Sequence, residues 1–432
     1  MPDLHVSTLP NGLTVLVQEV HDAPVAVFWV WYRVGSRNEP PGLTGSSHWV
    51  EHMLFKGTPS HPPGTLTRLV DRLGGRWNAF TWKDYTAYFE MLPAEHIKVA
   101  IDLEADRMQN AIFDPDVVSS ERTVIISERE GAENFPTTYL VEEVDALAFK
   151  AHPYRQPVIG WKSDLRAMTR DDLYRHYRTF YQPSNAVAVA VGDLDAAQAS
   201  EAIAGAFGAV PAGSPLPEVR SVEPPQEGER RVVLRRPGGA TAYLLMAFHV
   251  PAAGHPDLPP LMVLAGILSG FRALQFDSGA GGRSSRLYRA LVDGGLATEI
   301  DANFRPSIDP TLFHVYATVR SGVEIAAVEA AVDQEVYRLR REPAAPEELE
   351  RVKRQAKAQF VYLRDGVFRR ALALGAYTVV GWPDALSTLP ELIERVTAED
   401  VTRAASMYLV DRHRTVGWYV PENGVGRAGP TS

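Results

Sequence analysis

A faint internal repeat constrains this chain more than any other feature. Thr169-Arg170-Asp171-Asp172 opens a helical pattern that runs through Tyr181, and the strand Ala186 to Val191 follows. Thr397-Ala398-Glu399-Asp400 opens a similar pattern through Tyr408, and the strand Thr415 to Val420 follows. Both openings read Ser/Thr-x-x-Asp/Glu, a capping-box-like helix start. Their offset is about 228 residues in a chain of 432, as expected of a duplicated domain. A chain of this length also exceeds one ordinary core. Pro211 to Glu229 is rich in Pro, Gly and Glu and reads as a linker. The expected organisation is therefore a first domain over 1–210, a linker over 211–229, a second repeat over 230–421 and a disordered tail over 422–432. In the second half, Arg231 to Arg235 and Ala242 to Val250 read as strands, and Leu261 to Leu268 as a buried helix. Pro346 to Asp365 reads as a long helix, with Pro near its start and Glu347, Glu348 and Glu350 in its first turn. Strands and helices mix in each half, so the fold class is α+β with two similar domains. Ser269 to Ser285 holds four Gly without periodicity and reads as a long loop between helices or a surface insertion.

The chemistry-bearing motif is His48-Trp49-Val50-Glu51-His52, an H-x-x-E-H string. On a helix, His48 and His52 stand one turn apart on one face, close enough for both imidazoles to reach one zinc. Glu51 points to the same side, where it can hold a water and take its proton. Two imidazoles do not complete a site, because catalytic zinc usually takes three protein ligands. A candidate third ligand lies in Ser120-Glu121-Arg122-Thr123-Val124-Ile125-Ile126-Ser127-Glu128. Glu121 and Glu128 are seven residues apart, which is two helical turns and one face. By spacing alone they equally suit a solvated acidic helix face. Gly74-Gly75 reads as a turn and the aromatic, Thr-rich run after it as a strand. Asn78 there is a backbone-binding side chain or a bulge residue, while Phe80 and Tyr88 suit packing.

Gly45 to Thr58 resembles the active-site helix of the pitrilysin (inverzincin) family of zinc metallopeptidases. In that family a glutamate about seventy-six residues beyond the second histidine completes the zinc site, and Glu128 stands at that distance from His52. The resemblance implies zinc on His48, His52 and Glu128, Glu51 as general base, and Glu121 as the residue that orients ligands and supports catalysis. Gly74 to Phe89 is similar to the family strand on which substrate adds as an edge strand, which implies substrate contacts at Asn78, Ala79 and Phe80. It also implies two similar domains facing each other, clam-like, with zinc in the first.

The second half carries no H-x-x-E-H, and His249, His255, His314 and His413 are scattered. It also departs from the family. Self-sufficient members carry an Arg and a Tyr seven residues apart within the region matching Ser285 to Thr298. Here Thr298 stands for the Tyr and Leu291 or Val292 for the Arg. Arg286 and Arg289 lie nearby, without a Tyr seven residues on. Absence of such donors costs the tetrahedral intermediate about 2.7–4 kcal/mol per donor. The expectation is a zinc-bearing subunit of a heterodimer, whose related zinc-less partner supplies the Arg/Tyr pair. A donor drawn from elsewhere in this chain, as in a self-sufficient homodimer, is the alternative.

Net charge is −9 and the pI about 5.8, which argues against nucleic acid as the main partner. No cysteine is present, which removes disulfides, a thiol nucleophile and Cys-ligated zinc. No apolar run approaches the ~18 residues of a membrane helix. Met1-Pro2-Asp3-Leu4-His5 lacks signal-peptide character, so a cytoplasmic protein is expected, or a periplasmic one whose leader precedes this numbering. The expected function is zinc-dependent endopeptidase action on short or unfolded peptides. A non-catalytic assembly subunit of the same fold, or a peptide-binding or zinc-storage module, are the rivals.

Overall fold

The computed structural model describes residues 4–237, 239–274 and 282–422. The first sheet is built from β1 (Leu4–Thr8), β2 (Thr14–Glu19), β3 (Val25–Tyr32), β4 (Arg76–Thr81), β5 (Thr86–Pro93) and β6 (Ala186–Gly192), in the order β1-β2-β6-β3-β5-β4. The second holds β7 (Arg230–Pro237), β8 (Tyr243–Val250), β9 (Ala297–Phe304), β10 (Thr311–Val319) and β11 (Arg414–Glu422), in the order β7-β11-β8-β10-β9. The two orders superpose when β7, β11, β8, β10 and β9 are set on β2, β6, β3, β5 and β4. In both, one parallel pair (β2 with β6, β7 with β11) is followed by antiparallel pairs only. β1 is an addition to the first sheet, joined to β2 as a hairpin.

The repeat recurs in atomic detail. The Thr169 hydroxyl accepts from Asp172 N at 3.2 Å and the Asp172 carboxylate from Thr169 N at 3.0 Å. Thr397 and Asp400 make the same pair of bonds at the same two distances. The capped helices run over Arg170–Phe180 and Ala398–Tyr408.

The chain forms two compact units, but not as two sequential halves. Unit one comprises residues 1–131, 156–221 and 361–387; unit two comprises 132–155, 222–360 and 388–432. Each half of the chain thus lends a helix to the other half's sheet. The expected 1–210 and 230–421 boundaries miss this, because a helix's sheet partner is decided by packing and leaves no mark on local sequence. Residues 211–229 contain no helix or strand. Glu422 ends β11 rather than opening the tail, and residues 423–432 lie outside the described residues. So do residues 275–281 of the loop expected over Ser269 to Ser285.

In unit one, alternate residues of β3 face opposite sides, as the strand period requires. Ala26, Phe28, Val30 and Tyr32 join the core under the helices. Trp29 and Trp31 stack on each other on the other face, and Phe368 of the lent helix Val367–Val379 packs on Trp29. A Cβ at Gly375 would collide with the Trp31 indole. In unit two the lent helix Pro136–Ala148 places Leu140, Val144 and Ala148 in the core with Leu245, Ala247 and Tyr419. There the close approach falls on the strand: a Cβ at Gly417 would collide with Val144. Among the described residues no helix is long and apolar enough to cross a membrane.

Candidate metal and catalytic site

α1 (Ser46–Met53) carries the H-x-x-E-H string. No side chain at its N-cap accepts a bond from its first amides. The buried carboxylate of Glu39 does so instead, taking Gly45 N and Ser47 N at 2.7 Å each. An anion there also suits the positive end of the helix dipole. Burial pushes the Glu39 carboxyl up to about 7, against the opposing pull of those two amides. His176 Nε2 meets Ser47 Oγ at 3.0 Å, and burial pushes that imidazole down to about 3. The start of α1 is therefore clamped by two buried titratable groups, Glu39 just before the helix and His176 far along the chain.

The rings of His48 and His52 are 4.7 Å apart, as i, i+4 residues on one face. Their Nε2 atoms lie 3.9 and 3.6 Å from Glu128 Oε2, which comes from the helix Pro115–Glu133. One donor atom from each of His48, His52 and Glu128 falls within 4.8 Å of the others. Ligands at ~2.0–2.1 Å from a tetrahedral zinc stand roughly 3.3 Å from one another, so the set closes on the ion by drawing the donor atoms together by roughly 0.3–1.5 Å, within the reach of side-chain rotation. Two imidazoles and one carboxylate are also the donor chemistry of a catalytic zinc site with a fourth position open. The residues fit zinc.

The protonation state of His48 suits the same purpose. Burial, then the neighbouring His52, pushes His48 down to about 3, leaving it neutral as a ligand must be. Glu121 Oε1 sits 2.8 Å from His52 Nδ1. A carboxylate acceptor there places the ring proton on Nδ1 and leaves Nε2 bare toward Glu128. Burial is the largest influence on His52 and lowers it, but the bond to Glu121 and the charge of Glu128 outweigh it and raise the group. Lys56 Nζ binds the other Glu121 oxygen at 2.6 Å. These two donors hold the Glu121 carboxyl below its ordinary range although burial pushes it up.

Glu51 is buried at the same end of α1. Thr81 Oγ1, at the end of β4, donates to Glu51 Oε2 at 2.6 Å. Burial raises the Glu51 carboxyl, and the Thr81 bond acts against that rise.

Asn78, Ala79 and Phe80 lie on β4, which pairs with β5 on one side and with no strand among the described residues on the other. The Asn78 amide oxygen accepts from Ala79 N at 2.9 Å, and the side chain is exposed. Ala79 joins the core. Phe80 packs edge-on to Trp29 and Trp31, the packing role its sequence context suggests.

In unit two, Leu291 is buried and Leu291 and Val292 lie in the short π-helical stretch Tyr288–Asp293, while Thr298 lies on β9. Arg286 is committed to a bidentate bond with Glu348 at 2.9 and 2.6 Å. His249 bonds the Ala148 carbonyl at 3.1 Å and His314 faces Asp145 at 3.3 Å, both structural contacts. No second cluster of metal-ligating side chains occurs among the described residues. Sequence reasoning gave no role to Lys56, Thr81, Glu39 or His176. Lys56 was visible four residues after His52; the others are separated from the motif by loops whose course no spacing encodes.

Residues 14–162 match the family profile described as insulinase (peptidase family M16), and residues 167–356 the one described as peptidase M16 inactive domain. The chain is 27% identical to the mitochondrial-processing peptidase subunit beta of Lentinula edodes, over 95% of this chain and 88% of that protein. It is 30% identical to an uncharacterized zinc protease of Streptomyces coelicolor, over 73% of this chain and 67% of that protein. The crystal structure of a protease from Helicobacter pylori is similar at a TM-score of 0.92 and 27% identity, covering 98% of this chain and 100% of that one.

Proposed function

This chain belongs to the insulinase peptidases, family M16, and on that premise we propose that it is a zinc-dependent endopeptidase of short or unfolded peptides. The observation that carries the reading is the grouping of donor atoms from His48, His52 and Glu128, with Glu51 on the same short helix as the two histidines. Zinc, when bound, supplies Lewis-acid polarisation of the scissile carbonyl and lowers the pKa of water toward ~7. The rest is work for the chain's own residues. Glu51 accepts the proton of the attacking water and returns it to the leaving amine. Its raised carboxyl suits a group that must both take and give a proton near neutrality. Glu121 holds His52 in the tautomer that offers Nε2, and Lys56 keeps Glu121 ionised. The edge of β4 that no strand pairs among the described residues receives the substrate backbone as an added strand, which selects extended chains over folded ones.

The same reading makes this chain the zinc-bearing member of a pair. Leu291, Val292 and Thr298 offer no cationic or phenolic donor where an Arg and a Tyr would stabilise the oxyanion. A related zinc-less subunit supplies that pair. The test is cleavage of a quenched-fluorescent peptide by zinc-quantified chain, alone and mixed with a zinc-less relative from the same genome. Activity that appears on mixing and vanishes in Glu51→Gln, with zinc retained, supports both parts. Strong activity of the chain alone overturns the pairing, and near-native turnover by Glu51→Gln overturns the base assignment.

A further inference from the structure

We infer that Thr81 is the positioning residue for the Glu51 carboxylate. The inference rests on the endopeptidase reading for its consequence, and on geometry for its substance. Thr81 Oγ1 donates to Glu51 Oε2 at 2.6 Å, a short charge-assisted bond to a buried carboxylate. One carboxylate oxygen is thereby held, which leaves the other for the proton transfer.

The donor is itself fixed. Thr81 and Thr86 face each other across the β4–β5 hairpin, with their hydroxyls 3.3 Å apart. Thr86 Oγ1 donates to the Val34 carbonyl at 2.9 Å and Thr81 Oγ1 to Glu51, so neither hydroxyl has a proton left for the other and the two threonines face each other as a packed pair. The hairpin turn is pinned from the other side. Trp82 O accepts from Ser36 N at 3.3 Å and Lys83 O from Arg37 N at 2.9 Å. Gly35 permits this approach, since a Cβ there would collide with both carbonyls. A rigid hairpin thus aims one hydroxyl at one oxygen of the base. Both the strand that receives substrate and the group that orients the base belong to β4, so substrate register and base orientation share one scaffold.

Thr81→Val removes the hydroxyl at nearly constant volume, and Thr81→Ser keeps it. With zinc-quantified chain, and the partner subunit if turnover requires it, Thr81→Val is expected to lower kcat about 10–100-fold, the scale of misplacing a catalytic group by an ångström. KM should stay within about twofold, since a group that acts only on the base leaves uniform substrate binding intact. Zinc content and Tm should stay native, and Thr81→Ser should recover most of kcat. A native kcat in Thr81→Val, or a Thr81→Ser protein as slow as Thr81→Val, overturns the inference. A second measurement is independent of activity. In metal-free chain carrying 13C-carboxyl glutamate, the Glu51 resonance, identified by its loss in Glu51→Gln, should move in Thr81→Val and return in Thr81→Ser. An unmoved resonance overturns the hold of Thr81 on Glu51 even if the native protein cleaves nothing, whereas absent cleavage with a moved resonance refutes the endopeptidase reading alone.

Discussion

At the scale of single residues, the site is a chain of dependencies that runs outward from α1. Glu121 contributes through His52, and Lys56 through Glu121. Glu121→Ala should weaken zinc binding about 10–100-fold, the usual cost of losing a carboxylate behind a ligating imidazole, measured by competition with a chromophoric chelator. Lys56→Met should shift affinity in the same direction by less, because Glu121 remains but without its counter-charge. His176 makes a pH prediction. Its imidazole is neutral in the fold, with its pKa pushed by burial down to about 3 from 6.5. Between those values the unfolded chain binds a proton that the folded chain does not, so stability falls as pH drops from 6.5 toward 3, by up to about 1.4 kcal/mol per pH unit. Denaturant titrations at several pH values should show that slope flattened in His176→Gln relative to the native chain. His48, Glu51 and His52 were legible in the sequence because helical periodicity converts their spacing into one face. Glu128 and Glu121 were not separable from an acidic surface by spacing, and only the family resemblance assigned them. Thr81 lies in the run that reads as a strand, and its role is not legible there, since a contact across thirty residues between α1 and a hairpin has no periodic signature.

At the scale of elements, the two capping boxes are equivalent by geometry and should be equivalent in energy. Thr169→Ala and Thr397→Ala should each cost about 1 kcal/mol, a typical cap deletion. Unequal losses from urea titration would show that the repeats have drifted in energy while keeping their geometry. The seat of the lent helix on the first sheet gives a larger effect. Gly375→Ala gains roughly 1 kcal/mol of helix propensity, but drives a methyl into an indole packed against Phe80, Tyr85 and Trp29. Overpacking of that kind costs about 1–3 kcal/mol, so the net change should be destabilising, and a rise in Tm would contradict this seat. Both capping boxes were read from the sequence because their signals lie within four residues. The lent helices Pro136–Ala148 and Val367–Val379 were not assigned to their sheets, because an apolar helix face states that it needs a partner without naming one.

For the whole molecule, the repeat predicted two α+β domains, and the matched strand orders of the two sheets carry the duplication through the fold. The reciprocal loan of helices predicts that the halves depend on each other. A fragment of residues 1–221 lacks 361–387 of its own unit. It should bind ANS and lose the near-UV signal of Trp29 and Trp31, and co-expression with residues 222–432 should restore that signal. A native near-UV spectrum from the fragment alone would show that the loan is dispensable. The same topology matters before the chain is finished. All strands of the first sheet have been synthesised once Gly192 is made, yet the helix that covers Trp29 and Trp31 is still to be translated. At ~5–20 residues per second that gap lasts on the order of ten seconds or more. For that interval the nascent sheet carries an uncovered aromatic face, an aggregation hazard that ends only when the covering helix is made.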